Sequence, residues 1–403
     1  NISEFGGDVK LTFPRIIFPI NTEKLIPKYM SPSTSVSFGA SLQNNIGLDR
    51  QTISGIYNYR WKPSKILTYQ VDLLNLQYVR NLNVENYYNV YKSSYNRLNE
   101  IAQSLNYDFN NPNTNPTLEI PDETEDFILD VLNQNIAADT DTFDEVLSIA
   151  ERQARLTENN LIFASNITLT RDTRENINDN NFSRLRLKLE SAGNVLSGIS
   201  SLAGSQKNSA GNYRALGVVY SQYIKPEIEY IKHWDIDGKN IIAVRAFGGI
   251  AIPYGNSNSI PFTRSYFAGG ANDNRGWKAY DLGPGSSGSI LDFNDANFKL
   301  AFNAEYRFTI LGDFKGGLFV DAGNIWNVLD NIDDEASVFN GIADLKEIAV
   351  ATGIGLRYDF GFFVFRFDVG FKTHNPGNPI GERWFTDYSF RKAVYNIGIN
   401  YPF

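Results

Sequence analysis

The chain has 403 residues and a net charge of −8, the wrong sign for a nucleic-acid binder. It has no cysteine, one methionine (Met30) and two histidines (His233 and His374). That removes disulfides, thiolate metal sites and thiol catalysis, and it leaves little for His-dependent catalysis or a His-rich metal site. Mean hydropathy is −0.30 although 14% of residues are aromatic, and no stretch approaches the ~20 apolar residues of a spanning helix.

Strict alternation over about ten residues recurs along the chain. It predicts thirteen strands, near 5–13, 34–44, 51–60, 65–79, 161–172, 182–195, 218–233, 240–252, 297–309, 314–322, 349–360, 362–372 and 393–403. In 35–43, Val36, Phe38, Ala40 and Leu42 share one face, and Ser37, Gly39, Ser41 and Gln43 the other. Within 65–79 the apolar phase slips between Leu73 and Leu74, which predicts a β-bulge. The stretch 80–160 breaks the pattern. Tyr88 to Leu105, Asp122 to Asn133 and Phe143 to Leu156 read as amphipathic helices, with an Asn/Pro run at 110–116 between the first and second. The acidic cluster Asp122, Glu123, Glu125 and Asp126 reads as a solvated face rather than a calcium site. In 184–190, Arg184, Arg186, Lys188 and Glu190 alternate with leucines. In 298–308, Lys299, Asn303, Glu305 and Arg307 oppose Phe298, Leu300, Phe302, Tyr306 and Phe308. In 363–372, Arg366, Asp368 and Lys372 oppose a row of phenylalanines.

A charged row on a strand needs a wet side. A large soluble β-protein supplies it outside, and a membrane barrel supplies it in the lumen. Segment length favours the membrane, since a spanning strand takes ~9–11 residues against ~5–6 for an ordinary one. The fold class expected is all-β, an antiparallel transmembrane barrel with a helical insertion. Short connections (61–64, 173–181, 234–239, 310–313, 360–361) alternate with long ones (80–160, 196–217, 253–296, 323–348, 373–392), which puts the long loops and the insertion outside the cell. The segment 14–33 is long although it falls on the periplasmic side. With this orientation both 5–13 and 393–403 run toward the periplasm. A closed bacterial barrel has an even strand number, so about three further strands of a sixteen-stranded barrel are expected upstream of Asn1. No charged region followed by an apolar one begins at Asn1, so the chain is read as mature or truncated. The organisation expected is barrel strands over 1–79, the insertion over 80–160, and barrel strands over 161–403 that include the loop 253–296.

That loop carries a distinctive run, Tyr266-Phe267-Ala268-Gly269-Gly270-Ala271-Asn272-Asp273-Asn274-Arg275-Gly276-Trp277, followed by Leu282-Gly283-Pro284-Gly285. It resembles the signature loop of the BamA/TamA family of outer-membrane assembly barrels. Phe319-Val320-Asp321-Ala322-Gly323-Asn324 and Gly353-Ile354-Gly355-Leu356-Arg357 resemble two of that family's strand motifs, in matching order from about 240 to 403. Phe13-Pro14-Arg15, Asn324-Ile325-Trp326 and Phe360-Gly361-Phe362-Phe363 are most similar to the Bacteroidota TamA-like (TamL) branch. The resemblance implies periplasmic POTRA domains upstream. It also implies that the loop folds back into the lumen, where Arg275 meets Glu305 and Asp321, both inward-facing by the pleat. An Arg–carboxylate pair there would lock the loop, with Gly269, Gly270, Gly276 and Trp277 shaping it. Spacing alone favours an ordinary lumenal ion network.

The C-terminal run 396–403, with Asn396, Gly398, Tyr401 and Phe403, resembles the targeting signal read by the barrel-assembly machinery. Pro402 there either weakens the seam between last and first strands or marks a frayed end. The leading function implied is a non-enzymatic insertase integral to the bacterial outer membrane. Lipids and client outer-membrane or surface proteins are its partners, clients entering by β-augmentation at a lateral seam. The alternative is a polypeptide secretion pore, or a channel subunit of a larger outer-membrane complex, with Arg184, Arg186, Lys188, Glu227 and Glu229 lining the path. A third reading makes 80–160 a docking site for surface lipoproteins or other complex subunits through Tyr87, Tyr88, Tyr91 and Tyr95, against a plain loop cap. No hydrolase is expected, since neither histidine sits in a Ser/Asp constellation, and no cofactor, metal or nucleic acid is expected.

Overall fold

The structure, a computed structural model, describes residues 2–45, 49–110, 116–176, 179–209, 211–288, 294–332 and 334–403. Thirteen strands run antiparallel in strict chain order as one continuous sheet. They are β1 (Ile2–Phe13), β2 (Ser33–Asn45), β3 (Asp49–Trp61), β4 (Leu67–Leu82), β5 (Asn160–Asp172), β6 (Ser183–Ala192), β7 (Tyr223–Asp235), β8 (Asn240–Ile250), β9 (Phe298–Leu311), β10 (Phe314–Trp326), β11 (Ala349–Asp359), β12 (Val364–His374) and β13 (Val394–Ile399). The thirteen alternating segments thus all became strands. No helix among the described residues is long and apolar enough to cross a membrane.

Burial is inside-out relative to a water-soluble sheet. On β9, Phe302 and Tyr306 are exposed, while Asn303, Glu305 and Arg307, in the opposite phase, are buried. On β12, Phe365 and Phe367 face out and Arg366 and Asp368 face in. Phe5, Val9, Phe38, Ile228, Leu318, Ile354 and Ile397 continue the exposed apolar band around the sheet. A contiguous band of this extent needs an apolar solvent, and strands can meet one only with their backbone groups paired. The curled sheet therefore encloses a polar lumen and offers its apolar face to lipid.

The phase slip in β4 is a bulge. Register shifts against β3 between Tyr57 and Asn58, and against β5 between Asp72 and Asn75, so Leu73 and Leu74 sit where the apolar row changes face. The boundaries that moved have local causes. The seventh strand starts at Tyr223, because Val218–Val219 folds back on Arg214–Ala215 as a separate two-residue ladder. The thirteenth ends at Ile399, because Asn400 takes a left-handed conformation (φ 64) and the chain leaves the sheet.

Between β4 and β5 stand α1 (Tyr87–Val90), α2 (Lys92–Ser104), α3 (Asp122–Leu132) and α4 (Thr140–Thr157). They surround their own core, with Tyr87, Tyr88, Leu98, Phe127, Val131 and Val146 all but inaccessible. Asp139 caps α4 by accepting from Thr142 N at 2.8 Å. Two expectations for this segment change. Tyr87, Tyr88 and Tyr91 are buried in that core and offer nothing to a partner. Glu123 does not belong to a solvated face. It is buried and accepts from Asn110 N (2.7 Å) and Glu119 N (2.8 Å), closing the turn ahead of α3. Asn81 staples the base of the insertion, donating from Nδ2 to Glu158 O and from its backbone N–H to Asn159 Oδ1 (2.7 Å each).

One helix was not anticipated, α5 (Asn194–Leu202), which takes the last two residues of the strand expected over 182–195 and the start of the loop expected at 196–217. Its Ser197 hydroxyl reaches Gln222 Oε1 at 2.9 Å, and Val195, Ile199 and Leu202 line its outer side, exposed.

The loop after β12 is organised by one carboxylate. Asp387 accepts from Lys392 Nζ (2.6 Å), Asn375 Nδ2 (2.7 Å) and Asn378 Nδ2 (3.0 Å). Burial alone would raise its pKa, but these donors outweigh it and hold the group at about 2. A depressed folded pKa means stabilisation that is present above about pH 4, the unfolded value, and lost as pH falls toward the folded one. The side-chain amide resonances of Asn375 and Asn378 should therefore titrate together with a midpoint near 2, and Asp387→Asn should abolish the transition. A midpoint in the ordinary carboxylate range would show that the cradle does not hold.

Candidate functional site

The loop between β8 and β9 turns back inside the sheet. Tyr266 and Ala296 close its base with reciprocal backbone hydrogen bonds of 2.8 and 2.9 Å. Beyond them Gly270 N donates to Trp277 O at 2.8 Å, making a tight turn with Arg275 inside it. Gly269 (φ 93) and Gly270 (φ 100) carry backbone angles that other residues rarely adopt, and a Cβ on Gly269 would overlap the Lys278 carbonyl. The wall is cut back to receive the turn. Trp277, Tyr266 and Leu282 pack against a run of small residues, Ala164, Ala192, Ala251, Ala349 and Ala351.

Arg275 is fully buried. Its Nε and Nη2 donate to the two oxygens of Asp321 at 2.8 and 2.9 Å, and its backbone N–H adds a third bond to the same carboxylate at 3.1 Å. Nη1 donates to Glu305 Oε2 at 2.7 Å and lies 3.6 Å from Asp368 Oδ2. The guanidinium carbon sits 3.5 Å from the centroid of the Phe319 ring, a stacked position that leaves the edge free to hydrogen-bond. The Arg275 carbonyl accepts from Asn396 Nδ2 at 3.0 Å. The structure thus brings Arg275, Glu305 and Asp321 together, with Gly276 and Trp277 adjoining and Asn396 from the last strand joining them.

Further residues belong to the same cluster. Asp368 is a third carboxylate. Arg307 donates to Glu305 Oε1 at 2.8 Å, and Arg366 donates to Asp368 at 3.0 Å and to Ala271 O at 2.8 Å, with Asn272 Oδ1 also in contact. Arg357 lies within ion-pair distance of both Glu305 (3.1 Å) and Asp368 (2.8 Å), but its nitrogens make no hydrogen bond of good geometry, so it acts by charge. Asn303 Nδ2 donates to Asp321 and to Asp273 O, at 2.8 Å each. Four guanidinium groups thus meet three carboxylates with almost no water access. Strand glycines provide the space. A Cβ on Gly317 would meet Arg357 at 2.7 Å and one on Gly398 would meet Arg366 Nε at 2.5 Å. Gly370 lies under the Arg275 carbonyl, and Gly276 stands over Ala351, whose Cβ would be 2.6 Å from a Cβ added there.

Tyr401 and Phe403 do not continue the last strand. After the turn at Asn400 they reach Arg307, whose guanidinium carbon is 4.1 Å from the Tyr401 ring centroid and 5.4 Å from that of Phe403. Phe403 also meets His233 edge-on at 6.4 Å. The left-handed residue Asn400 takes both rings off the alternation of β13, on which Tyr395, Ile397 and Ile399 face out. Of the other lumenal charges, Lys188 pairs with Glu190 (2.9 Å) and lies 4.0 Å from Glu227, Glu229 pairs with Arg245 (2.8 Å), and Arg184 is exposed.

The second motif also ties the loop to the wall. Asn324 Nδ2 donates to Gly285 O and Glu347 O, both at 2.7 Å, and Gly285 N donates to Ile325 O at 2.8 Å. Gly285 has φ 54, and a Cβ there would overlap the Ala336 carbonyl.

A sheet with an apolar exterior, and an inward loop fixed to a charged lumen wall, defines a membrane barrel with an internal loop. The Omp85 superfamily domain matches residues 2–386, and the chain belongs to that superfamily. Its fold is similar to that of BamA from Haemophilus ducreyi lacking POTRA domains 1-3, with a TM-score of 0.53 at 12% identity over 98% of this chain. The chain spans 61% of the length of that BamA chain. CdiB from Escherichia coli aligns more loosely, with a TM-score of 0.40 at 11% identity, over 84% of this chain and 46% of that one. No curated protein matches the chain by sequence.

Proposed function

We propose that the chain is the barrel of a non-enzymatic outer-membrane assembly factor of the BamA/TamA type, most like the TamA-like (TamL) branch of Bacteroidota. The observation that carries this reading is the seating of Arg275 on Asp321 and Glu305, with Asn396 of the last strand bonded to the same loop residue. The loop braces the interior while β13 serves as one wall of a lateral seam. That strand pairs with β12 over six residues, Val394–Ile399. A short ladder leaves an edge that an incoming client strand can extend by β-augmentation. In lipid, unpaired backbone groups make such pairing strongly favourable. A secretion pore fits less well, because the seated loop takes up lumen space that a translocating chain would use. On this reading the insertion over 80–160 caps the extracellular end.

The absence of native cysteine gives a clean test. Tyr395→Cys and Ile397→Cys should form disulfides with cysteines in the terminal strands of a nascent outer-membrane barrel, when client and protein are expressed together. Cysteines on lipid-facing β6, such as Leu187→Cys, should not. Equal cross-linking from both places, or from neither, would remove the assembly reading.

A further inference from the structure

We propose that α5 is an interfacial helix that lies in the membrane plane and sinks Val195, Ile199 and Leu202 among the lipid acyl chains at the long-loop end of the barrel.

The helix is inside-out, like the sheet below it. Val195, Ile199 and Leu202 share one stripe at helical spacing and are 52%, 58% and 92% exposed. The far side carries serines. Ser200 is buried, and the Ser197 hydroxyl donates to Gln222 Oε1 at 2.9 Å and lies 3.1 Å from Tyr220 Oη. A helix on a water-exposed surface presents these faces the other way round. Single exposed apolar side chains are ordinary. A helix that buries its serines and exposes its large apolar side chains is matched to an apolar solvent on its outer side.

Its position agrees. Gly193 turns the chain out of β6 with φ 78, so close to β7 that a Cβ there would come within 2.5 Å of Ser221 O. Asn194 Nδ2 then donates to Ser191 Oγ at 2.7 Å. Ser191 shares the outward phase of Leu187 and Leu189 and stands opposite Ile224 on β7, and these three apolar residues are exposed on the lipid-facing side. The helix therefore starts on the outer surface of the wall, and its stripe continues the apolar band of β6 and β7. Asn194 Oδ1 accepts from Tyr254 Oη at 2.9 Å and from Gln222 Nε2 at 3.0 Å, which fixes the first turn in that place.

No residue from 191 to 206 is charged, so this surface offers nothing to a phosphate or carboxylate headgroup. Its partner is neutral hydrocarbon, at the boundary where the apolar face of such a helix sinks about 5–10 Å. A protein, a second copy of this chain included, is the competing occupant. The inference rests on the barrel spanning lipid and is independent of the assembly role.

The chain has no native cysteine, so Val195→Cys, Ile199→Cys and Leu202→Cys can each carry a single nitroxide label. The full chain is placed in dioleoylphosphatidylcholine vesicles, and collisions of the label with oxygen and with a water-soluble nickel chelate are measured. All three labels should favour oxygen, as a label at Leu187→Cys on lipid-facing β6 does. Their oxygen-to-nickel ratio should be severalfold above that of a label at Gln206→Cys, which is exposed beyond the helix. Frequent collision with the nickel chelate at the three sites would show that the face meets water. Rare collision with both reagents would show that protein covers it. Either result overturns the proposal.

Discussion

Replacing Arg275 by Ala should destabilise the folded barrel by about 3–5 kcal/mol, the usual cost of removing one partner from a buried ion pair. The change removes the guanidinium from both oxygens of Asp321, which keep only Asn303 Nδ2 and the backbone N–H of residue 275, and from one oxygen of Glu305, all buried from water. It also removes the cation over Phe319. Heat-modifiable mobility on a semi-native gel reads the loss as a lower unfolding temperature. Hydrogen exchange reads it locally, as faster exchange at Gly270, whose amide closes the turn. Arg275→Lys should recover little, because an ammonium cannot present the fork that Asp321 receives. Arg275→Met combined with Asp321→Leu should recover more than either alone, since the pair leaves no unmatched charge at that position. An unchanged unfolding temperature and unchanged exchange in Arg275→Ala would show that the loop is held by packing against the alanine-lined wall.

Gly370→Ala should unseat the loop by a different route while leaving every charge in place. A Cβ there would overlap the Arg275 carbonyl and approach Gly276 N at 3.0 Å. Both are backbone atoms, so no rotamer change relieves the clash. The conformation of Gly370 is not left-handed, so strand pairing is not itself impaired. Overpacking of this kind typically costs about 1–3 kcal/mol, and here the cheaper response is for the loop to move. The variant should form a folded barrel with faster exchange across 270–277 and higher conductance in planar bilayers than the parent chain. Gly276→Ala, which presses on Ala351 from the loop side, should act in the same direction. Parent-like conductance and exchange in both variants would show that the wall has more room than the geometry allows.

Much of this was legible in the sequence because a barrel strand writes its two faces on alternate residues. Glu305 and Asp321 could be placed in the lumen from the pleat alone, and the Arg275 run marked the loop. What alternation does not carry is register, because turns and bulges decide which inward residues are neighbours. Asn303 stands opposite Asp321, and Asp368 faces Gly355 on one side and Asn396 on the other. Asp368 and Arg366 were therefore readable as lumenal but not as members of the Arg275 cluster. Conformational exceptions were equally hidden. Nothing in the pattern marks Asn400 as left-handed, although asparagine tolerates that region better than most, and this one residue redirects Tyr401 and Phe403. The helix α5 has a glycine in its middle and is secured by Ser197 and Gln222 across the loop, a tertiary contact that periodicity cannot register. Glu123 looked like its acidic neighbours because its two backbone donors lie 13 and 4 residues upstream.

The hydrogen bond from Asn396 to the Arg275 carbonyl joins the last strand to the lumenal loop, and thermodynamic linkage makes that bond symmetrical in its effects. Whatever free energy the seated loop contributes to keeping β13 in place, the docked strand returns to the loop. On the assembly role proposed above, a client strand that draws β13 outward would lower the affinity of the loop for its seat by the same factor. Conversely, the variants that unseat the loop are expected to make the seam easier to part. Engagement at the membrane edge and occupancy of the lumen are then two readouts of one equilibrium, and Asn396→Ala, which cuts the bond without touching a charge, should make them vary independently.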